Sequence, residues 1–277
     1  MKRAVTLQDL SCAGKCSISV ALPVLSCLET ETIVIPTALL SNHTAFESFV
    51  AYDLSDKIHA LSDGMDQNNI SFDAIYTGYL GSKAQADAIE EFIKRYHRDG
   101  VLFVADPAMA DDGILYAGLP GDFAKEMRRL VSMADVIIPN MTEACMLLDM
   151  EYQAPESIDI EDIHGMLRSL ADLGPEKVII TGVHSGTDSI GAVCYDQSSD
   201  NYASSIRKKY DGVFLGTGDI FASVVTGCLL KDQPLDKAMD NAVDFVGMCI
   251  DATLRDPEKR WYGVSFEKYL HLLRHYL

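Results

Sequence analysis

No apolar stretch in this sequence approaches the roughly 18 residues that a membrane-spanning helix needs. Met1-Lys2-Arg3 leads directly into a short apolar run rather than a signal-like segment, so a cytoplasmic protein is expected. Basic residues are scarce: 23 Lys and Arg stand against 41 Asp and Glu, a formal net charge of −18. Nucleic acid and anionic membrane surfaces demand clustered cations, so neither is expected as a partner. The seven cysteines show no CxxC pair and no Cys/His cluster with zinc spacing, and most lie in apolar runs. They read as reduced core thiols. No long Pro/Gly/Ser linker and no internal repeat divides the chain. Residues 1–277 are therefore expected to form one domain, which at this length buries roughly three-quarters of its extended surface without a metal or disulfide staple.

Two common phosphate-binding patterns are missing as well. Gly14-Lys15 is followed by Cys16, and the first glycine of a Walker-A loop would have to be Asp9. A dinucleotide-binding G-x-G-x-x-G would need glycine where Phe221 stands, and it belongs at the first strand–helix turn rather than late in the chain.

What the sequence does contain is an alternation of strand-length apolar runs with helix-patterned segments. Runs at residues 4–7, 32–35, 73–77, 101–105, 136–138 and 178–180 are separated by helical stretches, among them 17–28, 54–69 and one ending near His97. Runs such as Val101-Leu102-Phe103-Val104-Ala105 lack polar alternation, as strands covered on both faces do. The expectation is a doubly wound α/β fold, with a mostly parallel central sheet and helices on both faces. Beyond residue 181 the rhythm changes. Residues 190–195 and 203–209 read as neighbouring strands about a polar turn, which predicts an antiparallel addition at one edge. Helices follow at about 218–230 and 236–255, the second with Met239, Val243, Val246, Ile250 and Leu254 as its predicted core stripe.

In open sheets of this kind, ligands bind beyond the carboxyl ends of the strands. Polar residues recur at those ends: Asp9, Ser41 to Thr44, Thr77 to Tyr79, Asp106 to Asp111, Asn140 to Glu143, Thr181 and a glycine turn. The turn, Gly216-Thr217-Gly218-Asp219, is the most informative. Two glycines let backbone N–H groups approach an anion, and the helix N-terminus beyond them adds positive partial charge. A carboxylate there can take a proton from a substrate hydroxyl. These parts point to phosphoryl transfer to an alcohol.

Taken together, the strand-end segments resemble the pyridoxal/pyridoxine/pyridoxamine kinases of the ribokinase-like superfamily. The likeness covers nearly the whole chain. It rests on Ser41-Asn42-His43-Thr44, Thr77-Gly78-Tyr79-Leu80-Gly81-Ser82, Ala105 to Asp111 (similar to D-P-V-M/L-G-D), Pro139-Asn140-Met141-Thr142-Glu143 (similar to P-N-x-x-E) and Gly216 to Asp219.

The resemblance implies roles. Asp219 would be the general base, with Gly216, Thr217 and Gly218 donating N–H groups to the transferring phosphoryl. Asp9, His43, Thr44, Tyr79 and Tyr116 would line the vitamin ring. Asn140, Thr181 and Asp111 would face the nucleotide, while Asp106 and Glu143 would hold Mg²⁺ supplied with ATP. A monovalent cation such as K⁺ is the alternative guest near the phosphates. For Asn140 and Glu143 an N-cap with its capping-box acid is the alternative, and both readings can hold at once. Asp106 and Asp111 also read as solvated turn formers, and Thr181 as a loop hydroxyl. Residues 112–118 occupy the position of the family's mobile flap. A homodimer is implied by the resemblance alone.

Two departures bear on substrate. Asp9 stands where these kinases usually carry serine, and an aspartate is more like the hydroxymethylpyrimidine kinases. Ala110 replaces the usual glycine before Asp111. The readings carried forward are therefore a vitamin B6 kinase, a hydroxymethylpyrimidine kinase, and a vitamin-binding protein without turnover.

Overall fold

The computed structural model describes residues 1–98, 100–154 and 158–277. In chain order the elements are β1 (Arg3–Ser11), α1 (Ile18–Cys27), β2 (Glu31–Leu40), β3 (Ala51–Asp53), a 3-10 turn (Ser55–Lys57), α2 (Ile58–Gln67), β4 (Ala74–Thr77), α3 (Lys83–Tyr96), β5 (Leu102–Ala105), β6 (Ala110–Asp111), β7 (Ile114–Leu115), α4 (Phe123–Val131), β8 (Val136–Ile137), α5 (Met141–Leu147), α6 (Ile160–Ala171), β9 (Lys177–His184), β10 (Ser189–Asp196), β11 (Asn201–Lys208), α7 (Thr217–Leu229), α8 (Leu235–Arg255) and a final 3-10 turn (Leu270–Tyr276).

Among the described residues, nine strands form one sheet in the order β11-β10-β9-β8-β5-β4-β1-β2-β3. The pairings from β2 through β9 are parallel. The apolar runs that predicted parallel strands are sealed on both faces. Val5, Leu7, Ile75 and Phe103 pack with Ile58, Ile89, Phe92, Phe123 and Leu167. On the other face Ala4, Tyr76, Val104 and Ile179 meet Val20, Val24, Ile220, Val224, Met239 and Phe245.

The antiparallel edge expected beyond residue 181 is present, with β10 antiparallel to β9 and to β11. The opposite edge is antiparallel too: β2 runs on to Leu40 and pairs with β3 from Ala38↔Asp53 onward. The continuation carries Pro36, which a central strand would not tolerate. Pairing with β3 begins only two residues later, so Pro36 lies where the outer side of β2 is still an open edge.

One expectation needs correcting. On α8, Met239 and Val243 are buried, but the buried sector runs through Ala238, Ala242, Phe245, Cys249 and Ala252. Val246 and Ile250 are only partly covered and Leu254 is exposed. The small Ala238, Ala242 and Ala252 let α8 lie close against its neighbours, which turns the inward face toward them.

Candidate active site

The site forms where β1, β4, β5 and β8 end and α7 begins. β1 shifts register between Gln8 and Leu10, so Asp9 stands at an irregularity of the ladder, a local kink of the kind that re-aims a side chain. Its carboxylate is buried and accepts from Ser17 Oγ at 2.5 Å and Ser11 Oγ at 3.2 Å. Burial raises the Asp9 pKa above the usual carboxylate range, while the two hydroxyls and the His43 ring oppose the rise. Ser17, just ahead of α1, is held at φ 47° and ψ −130°, a backbone region costly for a side-chain-bearing residue.

The glycine turn meets this first loop. Gly216 is the N-cap of α7, at φ +81°. The first bond within the helix runs from Ile220 N–H to Gly216 O at 3.1 Å. The N–H groups of Thr217, Gly218 and Asp219 therefore have no partner inside the helix and form a donor set suited to an anion. Thr217 donates its hydroxyl to Phe214 O at 2.9 Å, which fixes the turn from within. At Gly218 a β-carbon would meet nothing within 4 Å, so the turn opens onto free space there.

Burial, and then the negative charge of Asp9, push the Asp219 carboxyl up to about 7; a backbone hydrogen bond from Ser17 pulls the other way. Cys16 feels both acids: burial, followed by the charges of Asp219 and Asp9, drives its thiol well upward. It is inert as a nucleophile in this state.

A second acidic group approaches from the ends of β5 and β8. Asn140 and Glu143 form a complete capping box on α5. Glu143 N–H bonds to Asn140 Oδ1 at 2.9 Å and Asn140 N–H to Glu143 Oε2 at 2.8 Å. The same side chains reach outward. Glu143 Oε1 also accepts from Met109 N–H at 2.9 Å and Ala110 N–H at 3.4 Å, and Asn140 Nδ2 donates to Ala110 O at 2.8 Å. Together they clamp the segment after β5 to α5. Ala110 sits in ordinary strand geometry within this clamp, so the usual glycine is not required for a positive φ.

Buried Asp106 receives no hydrogen bond from any described residue. Burial, then the charges of Glu143 and Asp219, raise it well above its ordinary range. Burial raises Glu143 as well, but its three backbone donors favour the charged form, so Asp106 is the member of the pair that keeps the proton.

Among the described residues, no group of three or more His, Cys, Asp or Glu could hold a metal ion by itself. Mg²⁺ keeps several waters and takes one or two carboxylates together with substrate phosphates, a donor set of the kind Asp106 and Glu143 offer. The Asp106 carboxylate, which accepts no hydrogen bond from a described residue and feels the charges of Glu143 and Asp219, fits such a cation.

The other expected residues fall around this centre. Thr181 is half-buried and bridges to Asn140 across the sheet end. Asp111 is exposed on the β6–β7 hairpin, raised by burial of its carboxyl and by Asp112. This hairpin spans most of the expected flap. Gly113 at its tip donates to Thr142 Oγ1 at 3.0 Å, and a β-carbon there would strike Tyr152 at 2.7 Å.

Tyr79 and Tyr116 face each other with ring centroids 6.3 Å apart, and Asp9 is among the charges felt by Tyr79. His43 Nδ1 accepts the Ala45 N–H at 3.0 Å, which leaves Nε2 as the protonated nitrogen. Burial lowers its pKa, against the pull of Asp9. Thr44 is exposed beside it. Arg207 stands apart from the site: its guanidinium bonds Asp240 and Asp244 on α8, each at 2.7 Å.

Reading by residue type missed Ser11, Ser17 and Cys16, which surround the Asp9 carboxylate. The available signal was a Gly-Lys-Cys-Ser run between the first strand and its helix, where a small polar residue often caps a helix.

A mostly parallel sheet with a carboxylate in the first turn of a helix whose leading N–H groups have no helical partner, and an acidic pair at neighbouring strand ends, is the arrangement of a ribokinase-like small-molecule kinase. The phosphomethylpyrimidine kinase family model matches residues 34–260. A Bacteroides thetaiotaomicron protein described under that family name, in a crystal form with pyridoxal, is 37% identical with a TM-score of 0.94, covering 99% of this chain and 96% of that one. Pyridoxal kinase from Lactobacillus plantarum is 30% identical with a TM-score of 0.87, covering 99% and 97%. A pyridoxal kinase of Vibrio vulnificus is 29% identical over 239 residues, 81% of this chain and 78% of that one. The chain belongs to the phosphomethylpyrimidine kinase family, and within it to the vitamin B6 kinases of the ribokinase-like superfamily.

Proposed function

We propose that this protein transfers the γ-phosphoryl group of ATP to the 5′-hydroxymethyl group of a vitamin B6 vitamer. The observation that carries this reading is the Asp219 carboxyl, pushed to about 7 at the mouth of a helix whose first N–H groups have no helical partner. A base poised near neutrality takes a proton from an alcohol efficiently, an effect of about 10²–10⁴-fold.

In the proposed step, Asp219 accepts the hydroxyl proton as the substrate oxygen bonds to the γ-phosphorus. The bond from that phosphorus to the β,γ-bridging oxygen breaks, and ADP leaves with the electron pair. The N–H groups of Gly216, Thr217 and Gly218, with that of Asp219 beside them, would hold the charge on the moving phosphoryl without reorganising. Asp106 and Glu143 would hold Mg²⁺, with Asn140, Thr181 and Asp111 on the nucleotide side; K⁺ is the other cation to test. When bound, Mg²⁺ supplies neutralisation of phosphate charge, which this acidic protein otherwise lacks. Tyr79, Tyr116, His43 and Thr44 would surround the ring, and the β6–β7 hairpin would keep water from the phosphoryl.

One observation favours a second reading. Asp9 offers a buried carboxylate, an acceptor suited to an aminopyrimidine amine, and an aspartate here resembles the hydroxymethylpyrimidine kinases. ADP release measured with pyridoxal, pyridoxine, pyridoxamine and hydroxymethylpyrimidine under identical Mg-ATP separates the two. Turnover with the vitamers supports the first, and turnover only with the aminopyrimidine supports the second. Absence of turnover together with tight vitamer binding would leave a carrier. We also expect a cytoplasmic homodimer. Phe49, Val50 and Tyr52 are exposed around β3, at an open sheet edge, and form the surface to test for it.

A further inference from the structure

Two separate segments line the proposed ring pocket, and one carboxylate outside it joins them. The first is the excursion between β2 and β3, which carries His43 and Thr44. It closes on itself through Ser41 N–H to Val50 O at 2.9 Å and Asn42 Nδ2 to Ser48 O at 2.9 Å, then returns as β3. The second is the Gly78–Ser82 turn, which carries Tyr79.

Asp53, the last residue of β3, spans the gap. Its Oδ1 accepts from Ser55 N–H at 2.8 Å, while Oδ2 accepts from Ser82 Oγ at 3.0 Å and from Gln85 Nε2 at 2.9 Å. Gln85 is buried, and its Oε1 accepts from Gly81 N–H at 2.8 Å. Ser82 is also the N-cap of α3, accepting from Gln85 N–H at 3.2 Å. At Gly81 a β-carbon would lie 3.6 Å from Tyr79 Oη and 3.7 Å from Gln85 Nε2, so ring, turn and amide are packed together.

A three-residue exposed edge strand has little burial of its own to hold it. Hydrogen bonds to a charged acceptor are the stronger kind, and here three converge on one side chain.

We propose that Asp53 is a positioning residue for the vitamin site. Acting through Gln85 and Ser82, it fixes the Gly78–Ser82 turn against the β2–β3 excursion and so holds the Tyr79 ring over the substrate. The inference rests on the reading of Tyr79 as a ring contact. Asp53 is assigned no contact of its own with substrate or nucleotide; its side chain is held by Ser55, Ser82 and Gln85.

The test is steady-state kinetics on Asp53→Ala, Gln85→Met and Tyr79→Ala, with Asp53→Ala/Tyr79→Ala to close a cycle. Expected is a rise in KM for pyridoxal of roughly five- to twentyfold in Asp53→Ala and Gln85→Met, as loss of charge-assisted bonds implies. KM for ATP and kcat stay within about twofold. In the Tyr79→Ala background the Asp53 substitution adds nothing further, because its effect passes through that ring. Asp53→Asn, which keeps one acceptor oxygen, recovers part of the loss. Gln85→Met carries the test by itself should Asp53→Ala fail to fold. An unchanged pyridoxal KM in Gln85→Met and Asp53→Ala, or effects that add fully to those of Tyr79→Ala, would overturn the proposal while leaving the kinase reading intact. A Tyr79→Ala enzyme with unchanged pyridoxal KM would instead remove Tyr79 from the ring site and the proposal with it.

Discussion

The carbonyl oxygen of Lys15 lies 2.0 Å from the point where a β-carbon on Gly216 would stand. The loop after the first strand is thus packed directly against the glycine turn, and Gly216 also needs its positive φ of 81°. Gly218, two residues on, faces open space. The two glycines should respond differently to the same substitution. Gly216→Ala is expected to lower Tm and disrupt the turn. Gly218→Ala is expected to fold with Tm nearly unchanged yet lose about 10²-fold in kcat, because its methyl group enters the phosphoryl space. Equal Tm losses in both would contradict this division.

The raised Asp219 pKa fixes a pH profile. The base must be ionised to accept a proton, so kcat/KM for the vitamer should fall below pH 7 by about tenfold per pH unit and level off above it. The break reports the free enzyme. A profile flat between pH 5 and 8 would exclude this group as the base.

The acids of raised pKa also predict how stability moves. Asp9, Asp106, Glu143 and Asp219 are all raised on folding, so the folded chain binds more protons than the unfolded one above the ordinary carboxylate range. Their contribution is fully present below that range and is lost as pH rises through each raised value, about 7 for Asp219 and about 8 for Glu143. His43 is lowered and opposes them as a single group. Acids such as Asp53 and Asp240 are lowered and finish titrating at more acidic pH. Tm of the metal-free protein should therefore decline between pH 5 and pH 8, and added Mg²⁺ should restore more at pH 8 than at pH 6. A thermal-shift series over both variables decides it; Mg²⁺ gains equal at both pH values would contradict a cation held by these carboxylates.

Much of this arrangement was legible in the sequence. Unbroken apolar runs such as Leu102 to Ala105, too short for helices and alternating with helix-patterned segments, read as strands covered on both faces, which puts helices on either side of the sheet. Strand-end polar residues then mark one rim. What the residues did not disclose were features set by tertiary contact. Ser17 and Ser11 become donors to Asp9 only once β1 shifts register and α1 starts at a strained residue. The β3 edge, three residues long, carries too little pattern to be seen in isolation. The α8 stripe was rotated because spacing reports periodicity, whereas the small residues Ala238 and Ala242 decide which face can approach a neighbour.

Asp9 should govern the choice among substrates. A buried carboxylate favours an amine-bearing partner more than a serine hydroxyl does, so Asp9→Ser is expected to shift the kcat/KM ranking away from pyridoxamine by about tenfold relative to pyridoxine. An unchanged ranking of the three vitamers would reject a role for this carboxylate in selectivity.

The most direct measurement compares Asp219→Asn with the parent protein for vitamer-dependent ADP release, with vitamer affinity determined in parallel. A base acting at the reacting oxygen predicts a kcat loss of at least about 10²-fold and vitamer affinity within about tenfold of the parent. Retained turnover, or equal loss of binding and turnover, would contradict the assignment of proton transfer to Asp219.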